Sequence, residues 1–188
     1  LQDGQKNNAR AGVTETGVRY SSRKLSEQID EVAAQTFDRN NHVNYGSTPR
    51  ALSNILSLPI LPMLGTYTHA YTMALSQQQA QEEGRKTKGL NFHDLGWDMV
   101  KNIPDMLNHP AAIIKSNTDV NDSRFVVVTN QVDKAGRPVI VAISPKGTGN
   151  YYGLKLMDTA LLSSYGRNNF SNYVATAKAE NRILYGRE

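Results

Sequence analysis

The order of the hydrophobic periods predicts an α+β fold. Apolar residues recur at helical spacing over about the first 110 positions, and after Pro110 they gather into short β-branched runs separated by turn clusters. Helices first and strands second is not the alternation that a parallel βαβ sheet requires, and an antiparallel meander is the simplest topology. A chain of 188 residues with 39% hydrophobic content is long enough for one core, with an N-terminal appendage rather than a second full domain.

Taken in order, Leu1 to Ser22 is rich in Gly, Asn, Gln and Thr without an apolar period, and reads as a linker or loosely attached arm. Leu25, Ile29, Val32, Ala33 and Phe37 then mark an amphipathic helix that stops before Asn40-Asn41. Thr48-Pro49 offers a hydroxyl cap and a proline for a helix carrying Leu52, Ile55 and Leu56. Pro59 and Pro62 frame an extended connector. TYTHAYTMALSQQQAQEEG carries one or two helices, ending where Gly84 can take a left-handed cap, with His69 in the first turn. A further helix runs from about Gly96 to Asn102, with Trp97 and Val100 available to the core; Pro104 restarts it and Pro110 closes the segment.

The strand-like runs are Ala112 to Lys115, Arg124 to Thr129 and Pro138 to Ser144, the last two joined by an Asp133-Lys134-Ala135-Gly136 turn. Gly147, Gly149 and Asn150 separate them from LKLMDTALLSSYGRN, whose first ten residues read as one strand from Leu154. Asn169 to Glu180 reads as a helix with Phe170, Tyr173, Val174 and Ala177 on one face, and Arg182 to Tyr185 as a last short strand.

Composition narrows the chemistry. The net charge of +4 and a pI near 9.3 suit an anionic partner, nucleic acid foremost. No apolar run reaches the roughly 18 residues of a membrane span, and no start resembles a secretory signal. With no cysteine there are no disulfides or thiolate metal sites. The chain does not begin with Met, and we expect it to be a piece of a longer protein. The four histidines, at 42, 69, 93 and 109, form no HExxH or other paired helical motif, and there is no Walker loop, dinucleotide GxGxxG or GxSxG elbow. No metal or cofactor is therefore expected.

What remains is a set of proton carriers and cation or hydroxyl donors. His69 and His93 have the imidazole pKa range suited to moving protons at neutral pH. His42, within Asn-Asn-His, and His109, beside Pro110, read as loop or structural residues. Ser163, Tyr165, Arg167 and Asn168 gather at a strand end beside a Gly turn, where side chains are held rigidly yet face solvent and can hold a phosphate. Arg85, Lys86 and Lys88 form a basic run beside His93 able to neutralise phosphates. Exposed members of the nine tyrosines can stack on unpaired bases.

These residues carry a resemblance. Thr66-x-x-His69 with Tyr71, Gly84-Arg85, Asn91-Phe92-His93-x-Leu95-Gly96, IPDMLNHPAAIIKS, FVVVT, DKAGRPVIVAI, Ser163-Ser164-Tyr165-Gly166 and the terminal RILY with Tyr185 resemble the phage-associated nuclease domains of the barnase, EndoU, colicin and RelE-like (BECR) superfamily. Such domains end MuF-type phage head proteins and other polymorphic toxins. The resemblance implies N-terminal helices packed on a twisted antiparallel sheet of about four strands, and metal-independent cleavage of RNA, often tRNA, by attack of the ribose 2′-OH. It makes His69 and His93 the acid/base candidates and gives Ser163, Tyr165 and Tyr185 phosphate contact or proton relay. Arg85 and Arg167 become phosphate clamps, with Thr66, Tyr71, Lys86, Lys88 and Asn168 as further RNA contacts. The division expected is an arm over 1–47 that docks a partner and a nuclease domain over 48–188. RNA is the expected substrate, a cognate immunity protein the expected partner, and the cytoplasm of a target cell the expected place of action for a bacterial or prophage product. A non-catalytic phage-associated binding module is the alternative reading. An ADP-ribosyltransferase is the third, though no E-x-E pair stands beside a strand.

Overall fold

The computed structural model describes residues 23–117, 124–145, 147–152, 154–157 and 160–186, so the predicted linker over 1–22 lies outside the described residues. The helices are α1 (Leu25–Ala34), α2 (Arg50–Leu56), α3 (Tyr67–Ala74), α4 (Gln77–Glu82), α5 (Trp97–Lys101), α6 (Ile103–Asn108) and α7 (Phe170–Ala179). The strands are β1 (Val43–Ser47), β2 (Pro62–Gly65), β3 (Ala112–Lys115), β4 (Phe125–Val132), β5 (Pro138–Ser144), β6 (Thr148–Tyr151), β7 (Leu154–Met157), β8 (Ala160–Gly166) and β9 (Ile183–Gly186). The α+β class stands. The four-strand expectation does not: seven strands share one sheet in the order β1-β2-β8-β5-β4-β3-β9, and β6 and β7 form a separate two-stranded ribbon.

Three differences from the sequence reading have physical causes. VNYGS alternates only from Val43 to Tyr45 before Gly46 and Ser47 break the pattern, and PMLG does not alternate; both become strands because the edge of β8 is available: β2 pairs with β8 in parallel and β1 adds to β2 antiparallel. The connector framed by Pro59 and Pro62 therefore ends inside the sheet. The single strand expected from Leu154 is two, since β7 pairs with β6 and β8 pairs with β5 and β2. The hydroxyl of Thr48 does not cap α2. It donates to the Leu61 carbonyl at 3.0 Å and accepts from the Leu61 amide at 3.2 Å, fixing the two ends of the α2 loop, while Pro49 takes the capping position.

The β-branched runs are buried on both faces, which is why they read as continuous rather than alternating. Ile113, Phe125, Val127, Val139, Val141 and Ile143 face the layer that contains α1 to α6. Ile114, Val126, Val128 and Ile140 face the other way and are covered by α7 through Ala177. Ile29, Val32, Phe37, Val43 and Tyr45 lie in the same core as Met73, Val100 and Leu107, so residues 25–47 share the main apolar cluster.

Local chemistry sets the helix boundaries. Ser76 accepts from the Gln79 amide at 3.2 Å while the Gln79 side chain accepts from the Ser76 amide at 2.9 Å, a reciprocal cap that separates α4 from α3. Gly84, at φ 72°, then reverses the chain so that the Arg85 amide bonds back to Ala80 at 2.9 Å. α1 is tied to β1 by the fully buried Gln28, whose amide donates to the Asn44 carbonyl at 3.1 Å and accepts from the Asn44 amide at 2.9 Å. Leucine at position 28 fills similar space but leaves both Asn44 backbone groups unpaired. Gln28→Leu is expected to cost about 3 kcal/mol, read as a lower urea midpoint at unchanged m-value.

Candidate functional site

Strand β8 delivers its side chains to two different environments. Ser164 points into the helical layer, where its hydroxyl donates to the Ile140 carbonyl at 2.9 Å and its amide meets Met73 Sδ at 3.1 Å. Its neighbours Ser163 and Tyr165 have the opposite parity and face the side of α7. β8 ends at Gly166, the Arg167 amide bonds to the Pro138 carbonyl at 2.8 Å, and Asn169 turns the chain into α7 with φ 50°.

Beside this strand end lies an open cleft of about 730 Å³ whose walls include Phe92, His93, Arg137, Tyr165, Arg167, Asn168, Tyr173 and Arg182. The His93 segment is stitched to α3, its amide donating to the Thr72 carbonyl at 2.8 Å. That carbonyl lies one turn after His69. The His93 imidazole lies against the Tyr165 ring, with centroids 5.4 Å apart and planes tilted by 32°. An exposed ion pair from Lys134 to Asp94, 2.9 Å, joins the His93 segment to the β4–β5 turn; its exposure makes it a positioning contact more than a stabilising one.

Asp133, only 6% exposed, organises the part of the cleft that Arg137 forms. Its Oδ1 accepts from the amides of Ala135 at 2.9 Å and Arg137 at 2.8 Å, and its Oδ2 from Arg137 Nε at 2.7 Å. Burial opposes the charge, but the bonds from Arg137 outweigh it and hold the carboxyl below its ordinary range. The same guanidinium reaches Asn168 Oδ1 through Nη1 at 3.1 Å, so Arg137 is fixed at both ends. Gly166 makes this possible: a Cβ there would stand 2.0 Å from Asp133 Oδ2.

Burial pushes the His93 pKa below 6.5, and the charges of His69 and Arg137 push it further the same way. His69 keeps an exposed edge in the first turn of α3, yet crowding by neighbouring atoms still desolvates its ring and lowers its pKa. The two imidazoles therefore interact electrostatically and are both held toward the neutral form. Among the described residues no group of three or more His, Asp or Glu is arranged to hold a metal ion.

Of the residues chosen from sequence, the cleft brings together His93, Tyr165, Arg167 and Asn168, with His69 near enough to influence His93. Ser163 is half-buried on the same strand face and is not among the cleft walls. Tyr185 is elsewhere. It pairs with Ile113, putting it on the opposite sheet face, and β9 is four strands from β8, roughly 19 Å at ordinary strand spacing. Arg85 is not a phosphate clamp. Its side chain is 1% exposed, with Nε on Glu83 at 2.7 Å, Nη1 on the Tyr67 hydroxyl at 3.1 Å and Nη2 on the Ala33 carbonyl at 2.9 Å. Tyr71 is likewise interior, donating to the Lys86 carbonyl at 2.7 Å, and the Thr66 hydroxyl caps α3 by accepting from the His69 amide at 3.0 Å. Thr66, Tyr71, Arg85 and Lys86 line a separate recess of about 220 Å³ that shares no residue with the cleft; Lys86 and Lys88 are exposed.

His42 acts structurally, accepting the Asn150 amide on Nδ1 at 3.1 Å, and His109 sits exposed at the end of α6. Arg137 and Tyr173 were missed. Asp133 to Gly136 read only as a turn, although an Asp four residues before Arg137 across a hairpin was a usable signal. Tyr173 read only as part of one face of a helix.

Gly166→Ala is expected to displace the buried carboxylate and cost about 2–3 kcal/mol in urea unfolding. In an Asp133→Ala background most of that penalty should vanish, and a double-mutant cycle measures the difference.

Every cleft residue named above falls inside one matched segment: a family model described as the phage MuF-C-terminal domain matches residues 85–187, and His69 with α1 to α4 lies before it. No curated protein and no solved structure matches the chain significantly. With more than half of its length under that match, the chain belongs to the phage MuF-C-terminal domain family.

Proposed function

We propose that this domain is a metal-independent endoribonuclease of the BECR type, as its likeness to barnase- and RelE-like nucleases implies. The observation that carries the reading is the placement of the His93 imidazole against Tyr165, in one open cleft with the fixed guanidinium of Arg137. A neutral imidazole is a competent base and a protonated one a competent acid, and His69 supplies the second ring. In the proposed step one imidazole takes the proton of a ribose 2′-OH as the 2′-oxygen bonds to phosphorus. The P–O5′ bond breaks, and the other imidazole delivers a proton to the leaving 5′-oxygen. Arg137 balances the charge that gathers on the phosphorane oxygens, and the Tyr165 hydroxyl is available to the same phosphate. The products are a 2′,3′-cyclic phosphate and a 5′-hydroxyl.

On this reading the domain acts as a toxin part of a larger phage or secreted protein, on RNA such as tRNA in the cytoplasm of a target cell. A cognate immunity protein is then its natural partner.

His93→Ala is expected to lower cleavage of single-stranded RNA by a factor of about 10²–10⁴ with an unchanged circular-dichroism spectrum. Wild-type cleavage should persist in excess EDTA and leave cyclic phosphate ends. Cleavage lost in EDTA and restored by magnesium would instead make the enzyme a metal nuclease, and undiminished RNA binding without any cleavage would favour a binding module.

The reaction needs one protonated and one neutral imidazole. Because both pKa values lie below 6.5, that combination is most populated on the acid side, so kcat/KM should peak below about pH 6.5 and fall toward pH 8. A pH–rate profile that rises through pH 8 would remove the histidine pair from the mechanism.

A further inference from the structure

The two halves of the cleft differ chemically. Around His93 stand an imidazole and a fixed guanidinium, groups suited to a phosphate. The half formed by the Gly166 turn and the first turns of α7 offers an aromatic ring, a guanidinium and carboxamides. The Arg167 guanidinium carbon lies 4.2 Å from the centroid of the Tyr173 ring, so the ring holds the cation in place. Arg167 Nε is buried and has no hydrogen-bond partner among the described residues. The ring of Tyr173, rather than an acceptor at Nε, therefore positions this guanidinium.

Asn172 and Asn169 are exposed on the same wall. A carboxamide presents a donor and an acceptor side by side, whereas a phosphate presents acceptors only. Amides thus suit a ligand edge with both kinds of group, as a nucleobase has. Guanidinium planes and aromatic rings are the surfaces on which unpaired bases stack.

Building on the ribonuclease reading, we infer that Arg167, Tyr173 and Asn172 form a pocket for one unpaired nucleobase next to the phosphate held beside His93, and that the substrate is single-stranded RNA. The base stacks on the guanidinium face turned away from Tyr173, making a three-layer stack, and Asn172 meets its edge. A base within a duplex is paired and stacked already and offers neither face nor edge.

The test is equilibrium binding by fluorescence anisotropy, using a short labelled 2′-O-methyl RNA that cannot be cleaved, an abasic oligomer of the same backbone, and the first oligomer annealed to its complement. Wild-type protein should bind the single-stranded, base-bearing oligomer about tenfold more tightly than either of the others at fixed salt. Arg167→Lys keeps the charge but loses the plane, and Asn172→Ala alters an exposed position. Each should weaken the base-bearing oligomer by about fivefold to tenfold and leave the abasic one within about twofold. Equal binding of base-bearing and abasic oligomers, or equal weakening of both by the variants, would overturn the base pocket while leaving the ribonuclease reading intact. Base-dependent binding by a protein that cleaves no RNA would have the reverse meaning.

Discussion

A carboxylate taken almost wholly out of water must find protein donors for its charge, and the way Asp133 meets that demand shapes the cleft. Two backbone amides and the Nε of Arg137 bind its oxygens, and the closeness of those donors fixes the β4–β5 turn. The turn in turn presses the carboxylate against the backbone of Gly166, at the point where β8 stops. One buried charge therefore sets the position of a cationic wall and of the strand end that bears Tyr165, with Asn168 held to the same guanidinium.

The helical layer sets the other wall. α3 lies on the sheet face opposite α7, and Met73 meets the backbone of Ser164 beneath Tyr165. The Thr72 carbonyl anchors the His93 segment, so a histidine distant in sequence from β8 is brought beside it. Phe92 packs against Tyr71 with ring centroids 6.3 Å apart, holding the segment down on the helix. Arg85 supports the same layer from inside, joining the end of α1 to the ring of Tyr67. Its basic neighbours stay in solvent, which is why one short run of like residues contains both an internal strut and two surface charges.

Membership of the phage MuF-C-terminal domain family spans the cleft but not the whole support beneath it. The matched residues include both guanidinium-bearing walls, β3 to β9 and α7, while α3, which carries His69 and anchors His93, lies before them. The sheet crosses that boundary as well, since β2 pairs with β8. Residues on either side of position 85 are thus bound into one core.

The sequence by itself determined what depends on neighbours along the chain. Helical apolar spacing in Leu25 to Phe37, the left-handed Gly84, the Asp133 turn and the β-branched runs all act within a few residues, so those elements and the α+β order were legible. The strand end with Tyr165, Arg167 and Asn168 was legible too, because a polar cluster at a Gly turn is itself a local pattern. Tertiary structure alone decided the rest. β1 and β2 exist as strands because β8 offers an edge, Arg85 became interior because Tyr67 and the Ala33 carbonyl surround it, and Tyr185 fell on the wrong face because β9 pairs with β3. Pairing partners and burial are set by contacts between residues far apart in sequence, and no local period records them.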